Sequence, residues 1–423
     1  MKIYFNKKLF NEENIFAYLT GLIFLSLYFV NSKFMFDIGV KITITDIVIL
    51  GTFIFFLFRF FKKDSKIQIQ IPLILLITFI VFLLIVGLDI KRVKWPLRNF
   101  TLFVMCLRNI FLMIVVSSFK LEENKILKTI ANISIFISMI SLILYFFYLF
   151  QYQQILSNQF LWKPGIWYDL GEGSILRLSG VGNDPNFFGI VNIIGLIFCL
   201  FLFNERKYKI GSIVIFLSIV LTFSRTLFII LGILVLIFIV LSSILKKRDI
   251  LKEVSVNYLK ICLIFILFGI LIGLFMTSIN IVGIMQEKMK SGIGKSIADR
   301  FHLWSLALSS FRTSPLIGQG GRYIQMTEGK YVHNDYLELL SSYGLIGFFI
   351  VVFFLLGNLK IGILNLTNNI KIGAYILLIV YMIFMMGFSI FFNPYVYFII
   401  GLLWGNSNKD EYLEIEDGKF YGK

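Results

Sequence analysis

The stretch TLFIILGILVLIFIVLSSIL, residues 226–245, decides the fold class, because it is apolar and carries no charged side chain. A helix of about twenty apolar residues spans the hydrocarbon core of a bilayer. Similar runs recur along the chain: 58% of its 423 residues are hydrophobic and only 15% are charged. Soluble domains carry about a quarter charged residues, so this composition excludes a soluble enzyme, a disordered protein and a disulfide-stabilised scaffold. The chain is therefore predicted to be a polytopic membrane protein.

The apolar runs are long and continuous, whereas the strands of a transmembrane barrel alternate in polarity over about ten residues. We therefore predict an all-α integral membrane protein with about 12 transmembrane helices, forming a single transmembrane domain over residues 1–423. The candidate spans are 15–31, 42–61, 69–88, 99–117, 129–150, 186–203, 210–223, 226–245, 259–281, 336–357, 372–391 and 394–405.

The formal charge of +16 is explained by basic loops, not by nucleic-acid binding, so no nucleic-acid partner is expected. Lys and Arg collect in cytoplasmic loops, and the loops at 59–66, 204–209 and 246–252 are basic. One loop, at 91–98, has the opposite bias, since Lys91, Arg92, Lys94 and Arg98 fall outside in this arrangement. Either the arrangement is wrong at this loop, or these charges meet an anion on the outer face; the other basic loops favour the arrangement given.

Two long loops then face outward, 151–184 and 283–335, and the second is the largest hydrophilic segment. Long loops in a compact protein are usually functional. The 283–335 loop is expected to carry short helices and the candidate active site.

Only two histidines occur, His302 and His333, and both lie in the 283–335 loop. Histidine is the side chain best suited to move a proton near neutral pH. His333 is the candidate general base; the alternative is that His333, Asn334 and Asp335 simply cap the following helix. A base with the ordinary pKa of about 6.5 would lose activity at acid pH, unless its surroundings shift the pKa.

Two arginines stand out. Arg225 lies between two apolar runs, where it contacts a phosphate or extends to the lipid headgroups. Arg108 lies in the middle of a span, which favours a functional site or, equally, a buried structural pair.

Further candidate substrate contacts are Asn183, Asp184 and Asn186, although Asp184 followed by Pro185 is fully explained as a helix N-cap. Arg322 follows a glycine-rich stretch that lacks the lysine spacing of a phosphate-binding loop, and Asn334 adjoins His333. The outer loops show no ligand cluster with metal-binding spacing, so no metal or cofactor is expected.

Four motifs together resemble the O-antigen ligase and Wzy-type polysaccharide polymerase superfamily over about residues 180–360. They are Gly182-Asn-Asp-Pro-Asn186, Ser224-Arg225, Arg300-x-x-x-Trp304 running into Pro315-Leu-Ile-Gly318, and His333-Asn-Asp-Tyr-Leu337 followed by Gly344 and Gly347.

This resemblance implies a metal-independent, inverting glycosyltransferase of the GT-C kind that uses glycans linked to undecaprenyl pyrophosphate. It implies that Arg225 and Arg300 handle the pyrophosphate and that His333 activates the acceptor hydroxyl. The implied location is the bacterial cytoplasmic membrane, with the active site facing outside or into the periplasm.

The expected function is polymerisation of lipid-linked repeat units into a capsule or O-antigen. The alternatives are a ligase that transfers the finished glycan to an acceptor and, in a different class, a flippase for lipid-linked oligosaccharides. The expected partners are the undecaprenyl-pyrophosphate-linked donor and acceptor and the lipid bilayer, with a chain-length regulator and a flippase as further candidates.

Overall fold

A computed structural model of the chain describes residues 12–30, 35–37, 41–60, 74, 76–82, 96–118, 122–149, 165–169, 174–182, 184–244, 248–276, 298–364 and 366–405. Most of these residues are helical, as predicted. The helices are Glu12–Leu27, Ile44–Phe60, 76–82, Pro96–Ser118, Glu123–Leu149, Pro185–Phe201, Arg206–Val220, Arg225–Ile244, Arg248–Met276, 298–313, Tyr323–Glu328, Asp335–Leu364, Asn369–Phe384 and Pro394–Trp404.

Within the described residues, four helices are long and apolar enough to cross a membrane: Thr101–Ser118, Glu123–Tyr148, Arg225–Ser243 and Asp335–Leu364. Shorter apolar helices accompany them, at Ile15–Leu27, Ile44–Leu57, Pro185–Phe201, Asn369–Phe384 and Pro394–Trp404. The protein is an integral membrane protein of helical class, while the total of about 12 spans stays a prediction.

Two short antiparallel hairpins interrupt the helices. The first pairs Met35–Asp37 with Lys41–Thr43. The second pairs Gly165–Asp169 with Ser174–Leu178, so that Gly165 lies opposite Leu178. It is called here the outer hairpin because it lies in the loop that was predicted to face outward. The outer hairpin falls inside the 151–184 loop, for which the sequence predicted no strands.

The helices also share a buried polar network. The Tyr28 hydroxyl donates to Asn192 Oδ1 at 2.8 Å, and Asn192 Nδ2 donates to Ser218 Oγ at 3.1 Å. Ser134 and Ser138 complete the network from the Glu123–Leu149 helix. Buried polar side chains in an apolar bundle must find partners, so this network ties three helices to the turn that follows the Glu12–Leu27 helix.

Glycines shape the long helix Asp335–Leu364, which is kinked at Gly344, where φ is +64°. The carbonyls of Ser341 and Ser342 accept hydrogen bonds from Gln319 N and Gly320 N at 3.0 and 2.8 Å. A Cβ on Gly318 would lie 2.3 Å from Ser342 backbone carbon, so only glycine permits this close approach. The two glycine motifs of the sequence therefore meet, and they join the 298–330 region to the kink.

Candidate active site

The connection Met385–Asn393, called here the 385–393 loop, organises the site. Asp335 N donates to the Met385 carbonyl at 2.8 Å, while Asp335 Oδ2 accepts from Ile390 N at 2.7 Å and from Phe391 N at 2.9 Å. Asp335 is buried, and it fixes the loop against the start of the Asp335–Leu364 helix. This loop was not predicted from the sequence, because residues up to 391 were assigned to the span 372–391, whereas the helix ends at Phe384.

The 385–393 loop brings two of the predicted residues together on Phe388. The His333 ring meets the Phe388 ring edge-on, with centroids 6.1 Å apart, and Arg300 Cζ lies 5.9 Å from the same ring centroid. Phe388 is only 6% exposed, so it is a fixed surface. His302, by contrast, is exposed on the 298–313 helix.

His333 is half-buried beside a positive charge. Burial, and secondarily the charge of Arg300, lower its pKa from 6.5 to about 4. The pKa of His333 therefore lies well below 6.5, the ordinary value from which a loss of activity at acid pH was expected. At neutral pH the imidazole is neutral, which is the form that accepts a proton.

Backbone strain marks the same region. Within the described part of the chain, the non-glycine residues with positive φ are Phe223 at 47°, Arg322 at 51° and His333 at 55°. Such conformations cost free energy and cluster at functional sites. Phe223 precedes Ser224 and Arg225, so all three strained positions adjoin predicted site residues.

The helix after His333 is capped by its neighbour. Asn334 Oδ1 accepts from Leu337 N at 3.1 Å, which makes Asn334 the N-cap of the Asp335–Leu364 helix. The capping oxygen therefore belongs to Asn334, and the capping alternative for this segment does not account for His333. A substrate contact by Asn334 stays a prediction.

The 298–313 helix holds the segment that leads into His333. Trp304 Nε1 donates to the Val332 carbonyl at 3.1 Å, and Lys330 Nζ lies 3.4 Å from Asp299 Oδ2. Val332 packs in a small buried cluster with Leu303, and Trp304 lies at its edge. Arg300 and Trp304 are one helical turn apart, so one helix supplies both the charge near His333 and its anchor.

Arg225 belongs to a different helix. It is exposed at the first position of the Arg225–Ile244 helix. Just past Phe384, Gly387 lies close to Thr226, since a Cβ on this glycine would be 3.3 Å from Thr226 Cγ2. Arg225 and Phe388 therefore belong to the same end of the bundle.

The turn before Arg225 is secured by the outer hairpin. Arg177 Nε donates to the Thr222 carbonyl at 2.8 Å, and Leu178 N donates to the Leu221 carbonyl at 2.9 Å. Arg177 Nη2 also donates to Asn186 Oδ1 at 3.2 Å. Arg177 was missed by sequence reasoning, and Asn186, a candidate substrate contact, has this internal partner.

Arg322 is buried below the site surface. Its guanidinium lies over the rings of Tyr331 and Phe392, at 5.3 and 5.7 Å from their centroids. Its Nε is 3.6 Å from Glu338 Oε1, and both side chains are largely buried. The candidate substrate contact at Arg322 therefore has internal partners that hold it in place.

Arg108 forms a partly buried ion pair, while a substrate contact by Arg108 stays a prediction. Its Nη1 is 2.7 Å from Asp46 Oδ1, and its Nη2 donates to the Phe392 carbonyl at 3.1 Å. Asn109 Nδ2 donates to the same carbonyl at 3.1 Å. Arg108 thus supports the 385–393 loop from inside the bundle.

The remaining predicted residues belong to the first motif. Asp184 is the N-cap of the Pro185–Phe201 helix, where its side chain accepts from Asn186 N and Phe187 N, as its sequence context predicted. Asn183 and the segment 91–95 lie outside the described residues. In the part of the chain that the structure describes, no group of three or more His, Cys, Asp or Glu residues is placed to hold a metal ion.

Residues 210–352 match the family model described as O-antigen ligase. The resemblance to the O-antigen ligase superfamily is confirmed. This match covers about a third of the chain and includes Arg225, Arg300 and His333. It does not include the 182–186 motif or the 385–393 loop. No curated protein matches the chain.

Proposed function

We propose that the protein polymerises undecaprenyl-pyrophosphate-linked oligosaccharide repeat units into a surface polysaccharide, a capsule or O-antigen, at the outer face of the bacterial cytoplasmic membrane. The observation that supports it most directly is the pairing of a neutral His333 with Arg300 on the fixed surface of Phe388. The O-antigen ligase match over the same residues supports the substrate class.

The reaction is a single displacement with inversion. A hydroxyl oxygen of the acceptor sugar attacks the anomeric carbon of the donor, and its proton passes to the neutral imidazole of His333. The bond between the anomeric carbon and the pyrophosphate oxygen breaks, and that oxygen keeps the electron pair. Arg300 and Arg225 stabilise the charge that develops on the pyrophosphate, so the proposed reaction is metal-independent.

A ligase is the second candidate, because the matching family model is described as O-antigen ligase. The bond chemistry is the same and only the acceptor differs. A polymerase transfers the growing chain to the next lipid-linked repeat unit, whereas a ligase transfers the finished glycan to another acceptor.

Purified protein in lipid vesicles, supplied with lipid-linked repeat units alone, tests the reaction. Lengthened lipid-linked chains without any added metal or energy source are expected for the polymerase. Deletion of the gene separates the candidates in cells: single repeats that remain on the surface indicate a polymerase, and lipid-linked polymer left unattached indicates a ligase. Transport of unchanged single units in the vesicles would contradict both and favour a flippase.

The proposed orientation is tested by cysteine labelling. Glu328 is an exposed position next to the site, whereas Gly329 has a φ of +68° that a cysteine would adopt only under strain. A Glu328→Cys variant is expected to react with an impermeant thiol reagent in intact cells. Labelling only after permeabilisation would place the site on the cytoplasmic side and overturn the orientation.

A further inference from the structure

The segment before His333 presents its side chains to two opposite sides. Lys330 pairs with Asp299, and Val332, which is 1% exposed, packs in the cluster under the 298–313 helix. Tyr331 and His333 alternate with them, and their rings lie side by side with centroids 6.5 Å apart. This contact places Tyr331 beside the candidate base.

Arg322 lies over the Tyr331 ring, and part of the Tyr331 side chain is exposed. The buried guanidinium of Arg322 lies 5.3 Å from the centroid of its ring, and Arg322 is itself held near Glu338 and Phe392. Tyr331 is nevertheless 38% exposed. A cation over one face fixes the plane of an aromatic ring, so the exposed part of Tyr331 is a rigid apolar surface next to His333.

Burying Arg322 and Glu338 with unsatisfied hydrogen-bonding groups costs folding free energy, which points to a functional role for the pair. Among the described residues, Arg322 Nε and both carboxylate oxygens of Glu338 have no hydrogen-bond partner, although Glu338 is only 4% exposed. Arg322 also has a left-handed backbone. A buried ion pair at 3.6 Å with poor hydrogen bonding contributes little to the stability of the fold. The role of the Arg322–Glu338 pair is therefore better explained by positioning of Tyr331 than by stabilisation.

We propose that Tyr331 is the stacking surface for a sugar ring of the acceptor glycan, the ring whose hydroxyl His333 deprotonates. This subsite rests on the proposed glycosyltransferase function and names the acceptor side of the same site. The C–H face of a pyranose is apolar, and a tyrosine ring offers a large contact area at a low cost in side-chain entropy. Stacking there would place the acceptor hydroxyl near the imidazole, while the arginines hold the donor.

Kinetics of Tyr331 variants test the subsite. Tyr331→Ala is expected to raise the acceptor KM about tenfold, comparable to the loss of one aromatic platform for a nucleotide base, with the donor KM unchanged. Tyr331→Phe keeps the flat ring and is expected to stay close to wild type. The matched control is Phe301→Ala, because Phe301 is also an exposed aromatic on this side, 5.4 Å from Trp304.

A binding measurement separates this proposal from the proposed function. The probe is the free repeat-unit oligosaccharide, released by mild acid from the organism's own polysaccharide and titrated into detergent-solubilised protein carrying His333→Asn to prevent turnover. Adding Tyr331→Ala is expected to weaken binding about tenfold, and adding Tyr331→Phe to leave it unchanged. Equal binding by the Tyr and Ala forms, at equal monodispersity, would overturn the subsite. Tyr331-dependent binding, together with no sugar transfer by the protein that retains His333, would keep the subsite and reject the reaction.

Discussion

The two arginines predicted to handle pyrophosphate occupy different surroundings. Arg300 is half-buried and lies against the fixed ring of Phe388, close enough to His333 to lower the pKa of the imidazole. Arg225 is exposed at the first turn of a helix, behind a strained turn that the outer hairpin secures. On one side of the site, called here the Arg300 side, the charge is already held in place without substrate. On the other, called here the Arg225 side, the charge is exposed to solvent.

From this difference we expect the two sides to have different roles. A preorganised charge acts on the transition state without reorganising, so the Arg300 side should affect turnover. An exposed arginine loses conformational freedom when it meets a phosphate, so the Arg225 side should mainly affect donor binding. The following changes test this contrast, beginning with the largest expected effect.

Replacement of His333 should be the most damaging change on the Arg300 side. His333→Asn is the best variant, because Asn tolerates the left-handed backbone at φ +55° better than Ala does. Turnover is expected to fall by about a hundred- to ten-thousand-fold, the range for a positioned acid–base group, while donor binding persists. In vitro chain lengthening at saturating substrate measures the loss.

The matched control for His333 is the exposed His302. His302→Asn is expected to keep most activity. Full activity of His333→Asn would reject the base assignment, since Asn334 already supplies the helix cap.

The two arginines should separate when each is changed to lysine, which keeps the charge but loses the planar fork. Arg300→Lys is expected to lower kcat by about a hundredfold or more, as for loss of one oxyanion donor. Arg225→Lys is expected to raise the donor KM with a smaller change in kcat. Equal changes of kcat and of the donor KM in the two variants would show that the two sides do not differ. Normal activity in both variants would show that the arginines are structural.

The outer hairpin is expected to affect activity only by positioning the turn that precedes Arg225. Arg177→Ala removes the hydrogen bonds to Thr222 and Asn186, so the turn before Arg225 loses its side-chain anchor and keeps only the backbone bond from Leu178. The donor KM is expected to rise about tenfold, the effect of one hydrogen bond to a charged group, with kcat little changed. Ser174→Ala, at the far end of the same strand, is the control. A loss confined to kcat would contradict the positioning role.

The smallest effect should come from mild acid. In the proposed reaction the neutral imidazole is the active form, and its pKa is lowered to about 4. Activity should therefore stay within about twofold between pH 7 and pH 5.5 and fall as the pH approaches 4. An ordinary pKa would already cut activity about tenfold at pH 5.5. Arg300→Gln removes a charge that lowers this pKa, so the activity of this variant should begin to fall at a higher pH than that of the wild type. Profiles of kcat/KM for the acceptor, at a donor concentration held constant, measure both.

Helix positions were largely predictable, because each long apolar run must satisfy its backbone internally. The predicted span 226–245 is found as Arg225–Ile244, and the Asp184 cap was evident from the Asp-Pro pair. The link between Arg300 and His333 followed from the family resemblance, not from spacing. Their common surface, Phe388, was not predicted.

The contacts that were missed are long-range and made by backbone groups. Asp335 binds the 385–393 loop through Ile390 N and Phe391 N, and no residue pattern marks a loop amide as a partner. Arg177 had a local signal, since Gly171 and Gly173 separate two short runs that suit strands. The pKa of His333 depends on burial, which a sequence does not give.

The place of the 385–393 loop in the chain sets an order of events during synthesis. Chains emerge from the ribosome N-terminus first, so Arg300 and His333 are made before the loop that aligns them. The matched family region, which ends at residue 352, is likewise complete before this loop exists. A half-inserted chain therefore carries Arg300 and His333 without their common surface, and the proposed site is complete only after the helix Pro394–Trp404 has closed the loop.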